Sequence, residues 1–301
     1  MLQPWESSIT NANASMQHNL RHALAQWRHW QCDPPLQHAP EIVSPVAGGL
    51  SNHSVLVTSG AQFIVRIDGT APTSHGLNRQ MEWRALRQAS AAGLAPTPRY
   101  FNPDIGCLVC DYLPPDAAPR ESPADTAQLL RGIHALPALH HRLDLCERIQ
   151  RYENQLRRTA QAHSAPVLAH SDRVLSLAHS AALSCDSYRV CHHDLLRANR
   201  LFSGGRLYAL DWEYCAMGDP LYDLAVVIAG DALDETQQDA LLRAYLQRPP
   251  KESELCALAR YGCVYRYLEI LWYLAANKNF AQGDAMQIKL AQLDSALRVS
   301  A

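Results

Sequence analysis

Apolar residues recur at helical spacing near the start of the chain and then give way to short alternating runs. The first pattern predicts an amphipathic helix within residues 16–31, with apolar positions at Leu20, Leu24, Trp27 and Trp30. Over residues 42–67, β-rich runs alternate with Gly, Ser and Asn turns. This second pattern predicts an antiparallel meander.

The remaining pattern divides the chain into a mixed part and a helical part. Residues 79–92 predict a helix closed by Gly93, and residues 100–110 predict a hairpin. A proline-rich segment follows at 113–123, and beyond it helical texture dominates, interrupted by strand-like runs at 188–191 and 206–210. We therefore expect an α+β chain with an N-terminal lobe over 1–112 and a mainly helical C-terminal lobe over 113–301.

Composition narrows the function classes. The 301 residues are 48% hydrophobic and 19% charged, with a formal net charge of −2, so no cationic field favours nucleic acid. No apolar run approaches the ~20 residues that span a bilayer, and the N-terminus does not resemble a secretory signal. The nine cysteines lack metal-ligand spacing except for Cys107 and Cys110, which we expect to be buried thiols of a cytoplasmic protein.

The segment Cys-His-His-Asp-Leu-Leu-Arg-Ala-Asn at 191–199 carries the chemistry. Asp194 and Asn199 have the HxDxxxxN spacing of a phosphotransferase catalytic loop, and Asp211 follows the next predicted strand. In such a loop the first aspartate lies beside the acceptor hydroxyl. The asparagine and the second aspartate supply the oxygen ligands that Mg²⁺ prefers.

Features before this loop occur in kinase order: a Gly48-Gly49 turn, Arg66 on a strand, and Glu82 on the next helix. The first 250 residues contain no lysine, so a phosphate-binding cation there must be arginine or histidine. Arg66 has the opposite parity to its apolar neighbours and can face a cleft. A surface role for Arg66 and an ordinary hairpin turn at the glycines remain alternatives.

These motifs resemble the aminoglycoside phosphotransferase/choline kinase family, and bacterial LicA-type choline kinases most closely. Residues 191–199 are similar to the CHNDLLPxN of those kinases, and residues 210–225 to their IDWEYxxMNDPxxDLA. Residues 63–66 resemble their strand in which arginine replaces the usual kinase lysine. The resemblance implies a protein-kinase-like two-lobed fold, with an antiparallel sheet plus helices in the N-terminal lobe, and dependence on ATP and Mg²⁺.

The resemblance also implies residue roles. Asp194 would receive the acceptor proton, His192 would support the catalytic loop, and Asp223 would be a structural partner of that loop. Asn199 and Asp211 would bind Mg²⁺. The nucleotide would contact the glycine turn, the strand-helix pair and the segment after the hairpin, through Gly49, Ser51, Asn52, Arg66, Glu82, Asp111 and Leu113.

The acceptor is the least defined part. On a helix, Tyr261, Tyr265, Glu269 and Trp272 share a face that would suit a cation, and Glu213 is a further acceptor candidate. A core helix in which Arg266 pairs with Glu269 is the alternative. The acidic residues Asp231, Asp234, Glu235 and Asp239 suit either a helix cap or attraction of a cationic acceptor.

The sequence thus predicts a kinase that phosphorylates a small amino alcohol such as choline or ethanolamine. Thiamine, an aminoglycoside or another sugar are alternative acceptors. A nucleotide-binding pseudokinase is the alternative of another class, although Asp194, Asn199 and Asp211 are all present. His193 and Arg197 stand where members of the resembled family often have other residues. The sequence predicts no oligomeric state.

Overall fold

The structure, a computed structural model, describes residues 14–46, 52–69, 76–118, 120–159, 164–276 and 283–299. These residues form two compact units. The first contains the described residues up to Ala117 together with Ser203–Tyr208, and the second contains the described residues of Ala118–Phe202 and of Ala209–Ala301. The first is built around a sheet, and the second is mainly helical.

Five strands of the described first unit form an antiparallel sheet in the order β1-β2-β3-β5-β4. They are β1 (Glu41–Val46), β2 (Asn52–Thr58), β3 (Gln62–Asp68), β4 (Pro98–Asn102) and β5 (Cys107–Asp111). Along β3, Phe63, Val65 and Ile67 are buried, whereas Arg66 lies on the opposite face. The predicted meander and the parity of Arg66 are confirmed.

Helix α1 (Ala14–Ala25) covers one face of this sheet. It is shorter than the helix predicted within 16–31, because a 3₁₀ turn, Trp27–His29, follows it. The turn brings the ring of Trp30 to 5.5 Å from that of Phe63, edge to face. The change from α-helix to 3₁₀ turn therefore adds the ring of Trp30 to the apolar contacts that cover the sheet.

Helix α2 (Arg79–Ala91) begins at Asn78, whose side chain accepts a hydrogen bond of 3.1 Å from the Met81 N–H. It ends just before Gly93, which has φ +70°. The predicted helix over 79–92 is confirmed. Because Glu82 lies in the first turn of α2 and is buried, this cap sets the position of a site residue.

The second unit consists mostly of helices packed around one long helix, α9, which contacts α4, α6, α7 and α10. The helices are α3 (Pro123–His134), α4 (Leu145–Arg158), α5 (Ala165–Leu168), α6 (Ser171–Ala182), α7 (Pro220–Gly230), α8 (Glu235–Leu246), α9 (Glu252–Ala276) and α10 (Asp284–Val299). None of the described helices is long and apolar enough to cross a membrane.

Short strands interrupt the helices and carry the candidate site. Strand β6 (Arg189–Cys191) pairs antiparallel with β9 (Ala216–Gly218). Strands β7 (Arg200–Ser203) and β8 (Arg206–Ala209) form a hairpin. Residues 192–199 therefore connect β6 to β7, and residues 210–215 connect β8 to β9.

The acidic residues after α7 have structural partners. Asp231 forms an ion pair of 2.6 Å with Arg200, and Asp234 caps α8 in a capping box with Gln237. Asp239 pairs with Arg243 one turn later on the surface. The helix-capping interpretation is confirmed for Asp234, whereas Asp231 and Asp239 form ion pairs.

Cys107 and Cys110 lie on β5 as free, buried thiols, as the sequence predicted. Burial raises the pKa of each thiol to about 12. At neutral pH both therefore remain protonated, and neither is a ready nucleophile.

A buried hydrogen bond between α4 and α9 gives the first prediction. The Tyr267 hydroxyl donates to Glu153 Oε1 at 2.7 Å, and Glu153 is 2% exposed. Tyr267→Phe should lower the free energy of unfolding by about 1–3 kcal/mol, because a buried carboxylate loses a donor. Urea denaturation measures this loss.

Tyr208→Phe is the matched control, since that half-buried ring makes no hydrogen bond through its hydroxyl within the described part of the chain. Its effect should stay within about 0.5 kcal/mol. Equal denaturation midpoints for Tyr267→Phe and the unchanged protein would show that Glu153 does not depend on this donor.

Candidate active site

The buried carboxylate of Asp223 holds the start of the loop that joins β6 to β7. Its Oδ2 accepts the backbone N–H of His192 and its Oδ1 that of His193, each at 2.7 Å. His134 Nε2 donates to Oδ2 at 3.1 Å. Burial acts to raise the pKa of Asp223, but the His134 hydrogen bond and the nearby His193, His134 and His192 outweigh it and lower the pKa to about 2.

The imidazole of His192 ties this loop to the segment after β8. It is fully buried, packs on Trp212 with ring centroids 5.1 Å apart, and its Nε2 donates to the Leu210 carbonyl at 2.9 Å. Burial lowers the pKa of His192, although Asp223 acts in the other direction. A neutral, buried imidazole that already donates to the backbone positions the loop and is poorly placed to exchange protons with a substrate.

His193 adopts φ 63°, which is uncommon for a residue with a side chain. Its ring is buried against Gly218, where a Cβ would overlap Nε2 and lie 2.8 Å from Cε1. Burial, followed by the charge of Arg148, lowers the pKa of His193 to about 4 against the influence of Asp223. His193 is therefore a neutral packing element of the loop.

Asp194 and Asn199 are joined within the same loop. Asn199 Nδ2 donates to the Asp194 carbonyl at 2.8 Å and to Asp194 Oδ2 at 2.9 Å. Since the amide nitrogen is used twice, Asn199 Oδ1 faces away from Asp194 as an available oxygen. The Asn199 carbonyl also accepts the Leu210 N–H at 2.8 Å, which places the chain immediately before Asp211 beside the loop.

Acidic groups crowd around Asp194. Burial and then the charge of Asp211 raise the pKa of Asp194 to about 8; Glu213 adds to the rise, whereas Arg148 and the Asn199 hydrogen bond oppose it. Asp211 has φ 58°, a left-handed conformation that Asp tolerates better than most residues. Clustered carboxylates next to an amide oxygen form a donor set that fits a hard divalent cation, which would relieve their repulsion.

The acceptor candidates on α9 do not all lie together. Tyr265 is close enough to Glu269 and Asp194 for their charges to raise its pKa after the larger effect of burial, and its hydroxyl lies 2.9 Å from the position of a Cβ on Gly230. Tyr261 instead donates to Asp219 Oδ2 at 2.9 Å, at the first turn of α7. Of the predicted stripe, Tyr261 is therefore structural.

Glu269 and Trp272 have neighbours that the sequence did not indicate. Glu269 forms an ion pair of 2.6 Å with Lys289 on α10, so the predicted alternative partner, Arg266, is wrong. Arg266 Nη1 instead lies 3.5 Å from the Ala229 carbonyl. Trp272 packs edge to face on the ring of Tyr273 at 5.0 Å.

In the first unit, Glu82 receives two guanidinium groups. Arg66 Nη1 lies 2.6 Å from Glu82 Oε1, and Arg79 Nη1 lies 2.8 Å from Glu82 Oε2. Arg79 also pairs with Asp68 at 2.7 Å and donates to Asn52 Oδ1 at 3.2 Å. Burial acts to raise the pKa of Glu82, but Arg66 and Arg79 outweigh it and lower the pKa, so the carboxylate stays charged.

The segment predicted to receive adenine follows β5. Both Asp111 carboxylate oxygens accept hydrogen bonds from Arg99, at 2.6 and 2.7 Å, and the Asp111 N–H donates to Thr97. The Tyr112 N–H donates to Gln62. Leu113, next along the chain, is half-buried. Gly48, Gly49 and Ser51 lie outside the described residues.

Sequence reasoning missed three residues of these clusters: Arg79, His134 and Arg148. His134 left no local signal, because its partners Asp223 and Tyr245 lie on other elements. Arg79 did leave one, since it precedes Glu82 by three positions on α2. Arg148 did leave a signal, since it precedes the buried Tyr152 and Leu156 at intervals of four on α4. A permanent charge on an otherwise apolar stripe indicates a specific partner or role.

Comparisons with known proteins bear on this arrangement. Residues 42–256 match the phosphotransferase enzyme family, APH. Protein LicA of Haemophilus influenzae is 24% identical over 275 residues, covering 87% of this chain and 81% of that protein. Thiamine kinase of Escherichia coli (strain SMS-3-5 / SECEC) is 30% identical over 199 residues, covering 62% of this chain and 65% of that kinase.

The fold has solved counterparts. Choline kinase LicA from Streptococcus pneumoniae superposes with a TM-score of 0.70 at 22% identity, covering 95% of this chain and 100% of that structure. This likeness confirms the kinase-like α+β fold expected from the sequence.

Close packing between Gly218 and His193 generates a prediction about the loop. Gly218→Ala should lower stability by about 1–3 kcal/mol, because the added methyl group meets a buried ring that has no room to move. It should also lower the phosphotransferase rate by about tenfold or more, since a small displacement of the loop misaligns Asp194. Thermal unfolding and ADP release measure the two effects.

Gly262→Ala in α9 is the control, because a Cβ there meets nothing within 4 Å. That change should stabilise the helix by up to about 1 kcal/mol and leave activity as it was. A Gly218→Ala enzyme as stable and active as Gly262→Ala would contradict this account of His193.

The lowered pKa of Asp223 predicts how stability depends on pH. Its contribution is fully present above its ordinary value of 3.8 and is lost as the pH falls through about 2. The linked free energy is on the order of 2 kcal/mol. Asp223→Asn should therefore be less stable than the unchanged protein at pH 7 and lose less of its remaining stability between pH 4 and pH 2. Parallel pH curves from urea denaturation would refute this assignment.

Proposed function

This chain belongs to the phosphotransferase enzyme family, and on that premise we propose that it transfers the γ-phosphoryl group of ATP, with Mg²⁺, to the hydroxyl of a small amino alcohol. The observation that carries the proposal is the bonding of Asn199 to Asp194. It fixes a carboxylate and an amide oxygen beside the segment that contains Asp211. A transfer enzyme needs this juxtaposition of proton acceptor and metal ligands.

We assign Mg²⁺ to Asn199 Oδ1 and the Asp211 carboxylate. When bound, the metal neutralises charge on the nucleotide phosphates and on the transferring group. The donor set supports this assignment, because burial and then the nearby carboxylates raise the pKa of Asp194, and a divalent cation would offset the effect of the carboxylates.

Asp194 receives the proton of the acceptor hydroxyl. Its Oδ2 is held by Asn199, which leaves Oδ1 for the acceptor. Holding the carboxylate in one orientation lowers the entropy cost of aligning the attacking oxygen with the phosphoryl group. Asp223 supports this alignment indirectly, since it fixes the two residues that precede Asp194.

We assign the nucleotide phosphates to Arg66 and adenine to the backbone near Asp111 and Leu113. Glu82 orients Arg66, and Arg79 gives Glu82 a second cation, so the carboxylate remains compensated if Arg66 turns toward phosphate. Under this assignment the phosphate-binding cation is arginine in place of lysine.

The amine of the acceptor is assigned to the surroundings of Tyr265. Aromatic faces and carboxylates attract ammonium groups, and the charge of Asp194 acts on both Tyr265 and Tyr273. Glu269 lies close to the same rings but is already paired with Lys289. Glu213, 7% exposed, also faces this acidic neighbourhood. These groups favour an amine-bearing alcohol over a neutral sugar.

Asp194→Asn tests the chemistry. Phosphoryl transfer should fall about 10²–10⁴-fold, because the carboxylate no longer accepts the hydroxyl proton, while Mg·ATP affinity should persist. ADP release across choline, ethanolamine, thiamine, aminoglycosides and simple sugars measures transfer, and calorimetry measures nucleotide affinity. Asp211→Ala is the contrasting variant and should lose both.

Joint loss of binding and transfer in Asp194→Asn would make Asp194 structural. Unaltered transfer would refute its assignment as the base. If the unchanged protein binds Mg·ATP and no acceptor in the panel promotes ADP release, the pseudokinase alternative is favoured.

A further inference from the structure

The side chain of Arg148 is a half-buried cation for which the described residues provide no hydrogen-bond acceptor. Its residue lies in the first half of α4, four positions before the buried Tyr152. Arg148 Nε is buried and has no hydrogen-bond partner among the described residues. The guanidinium carbon lies 4.0 Å from the centre of the Tyr214 ring. Stacking on a ring compensates a partly desolvated charge only in part and leaves the N–H donors in the guanidinium plane available to a ligand.

This guanidinium lies in the neighbourhood of the reacting hydroxyl. Burial acts to lower the pKa of Arg148, but the nearby Tyr152, Tyr214, Tyr222 and Asp194 outweigh it, so the side chain stays charged. Asp194, the assigned proton acceptor, is thus a close electrostatic neighbour that gives it no hydrogen bond. A permanently charged planar donor that lies on the Tyr214 ring, with its charge felt at Asp194, is suited to a planar anion.

We propose that Arg148 binds a carboxylate of the acceptor, so that the substrate is a small hydroxy amino acid carrying a hydroxyl, an ammonium group and a carboxylate. This inference rests on the proposed function and narrows its substrate class. The hydroxyl meets Asp194, the carboxylate meets Arg148, and the ammonium group faces Glu213 and the Tyr265 side.

Two observations favour a zwitterion over a simple cation such as choline. Arg148 already occupies one face of Tyr214, so a quaternary ammonium group cannot stack there. A cation without an anionic group would also meet the unpaired guanidinium and be repelled. A carboxylate is favoured over a second phosphate because a dianion would add to the repulsion from Asp194, Asp211 and Glu213.

Matched acceptor pairs that differ only by the carboxylate test the proposal. The pairs are ethanolamine with serine, and 3-aminopropanol with homoserine. For the unchanged enzyme, kcat/KM from ADP release should be about 10²-fold or more higher for the amino acid of at least one pair. Arg148→Met should bring that ratio close to one, mainly through KM. Arg148→Lys should keep part of the preference, because it retains the charge but loses the fork geometry.

Two kinetic results would overturn the proposal. One is an unchanged enzyme that prefers the amino alcohol of both pairs. The other is an Arg148→Met enzyme that loses the same factor on both members of each pair, since that would place Arg148 on the transferring phosphoryl group or make it purely structural. Thermal unfolding and Mg·ATP binding establish that the variants fold. If Arg148→Met does not fold, two other measurements test the proposal. They are the ratio of kcat/KM for amino acid over amino alcohol in the unchanged enzyme, and the decrease of that ratio in Arg148→Lys.

A binding measurement separates failure of this inference from failure of the proposed function. Calorimetry with a nonhydrolysable ATP analogue and each probe requires no turnover. Binding of serine or homoserine that weakens at least tenfold in Arg148→Lys supports the carboxylate contact even if no acceptor releases ADP, a result that would contradict the kinase activity alone. ADP release with the amino alcohols, without binding or turnover of either amino acid, would keep the kinase and overturn the carboxylate contact.

Discussion

The geometry of the candidate site depends on one buried carboxylate that accepts two consecutive backbone N–H groups. Asp223 is fully buried, and a charge in that position is tolerated only where it is fully hydrogen-bonded. The N–H groups of His192 and His193 and the Nε2 of His134 meet that requirement. Because the contacts are made with backbone, they hold the path of the loop whatever its side chains do. The left-handed backbone of His193 is stabilised by the same contacts.

The electrostatics of the second unit follow from this fixed loop. Once the loop is held, Asp194 lies near Asp211 and Glu213, and the charge of Arg148 opposes their effect on Asp194. A divalent cation and a polar acceptor would complete the balance. Burial and this crowding together raise the pKa of Asp194. Under the proposed assignment a divalent cation would offset the crowding, and we expect the proton to leave Asp194 as the cation binds.

Sequence reasoning succeeded where the determinants are local and failed where they are distant in the chain. The strand parity of Arg66 and the helix that carries Glu82 both follow from short-range periodicity. The pairing of Glu269 with Lys289 depends on how α9 and α10 pack, which no local pattern encodes, and the predicted partner one turn away was wrong. Tyr261 and Tyr265 share a helix stripe, yet one hydroxyl meets Asp219 while the other lies near Asp194. Residue type and spacing therefore predict a motif better than the pocket around it.

Arginine in place of lysine changes what the first unit can do. A lysine could pair with Glu82 through one ammonium group, whereas Arg66 contacts both of its oxygens and lies in a fixed plane. That bidentate grip would hold Arg66 away from a phosphate if Glu82 had no other partner. Arg79 contacts Glu82 Oε2 and is itself balanced by Asp68, so the carboxylate keeps a cation when Arg66 shifts. Under the proposed assignment, the second arginine would thus leave the first one available to a phosphate.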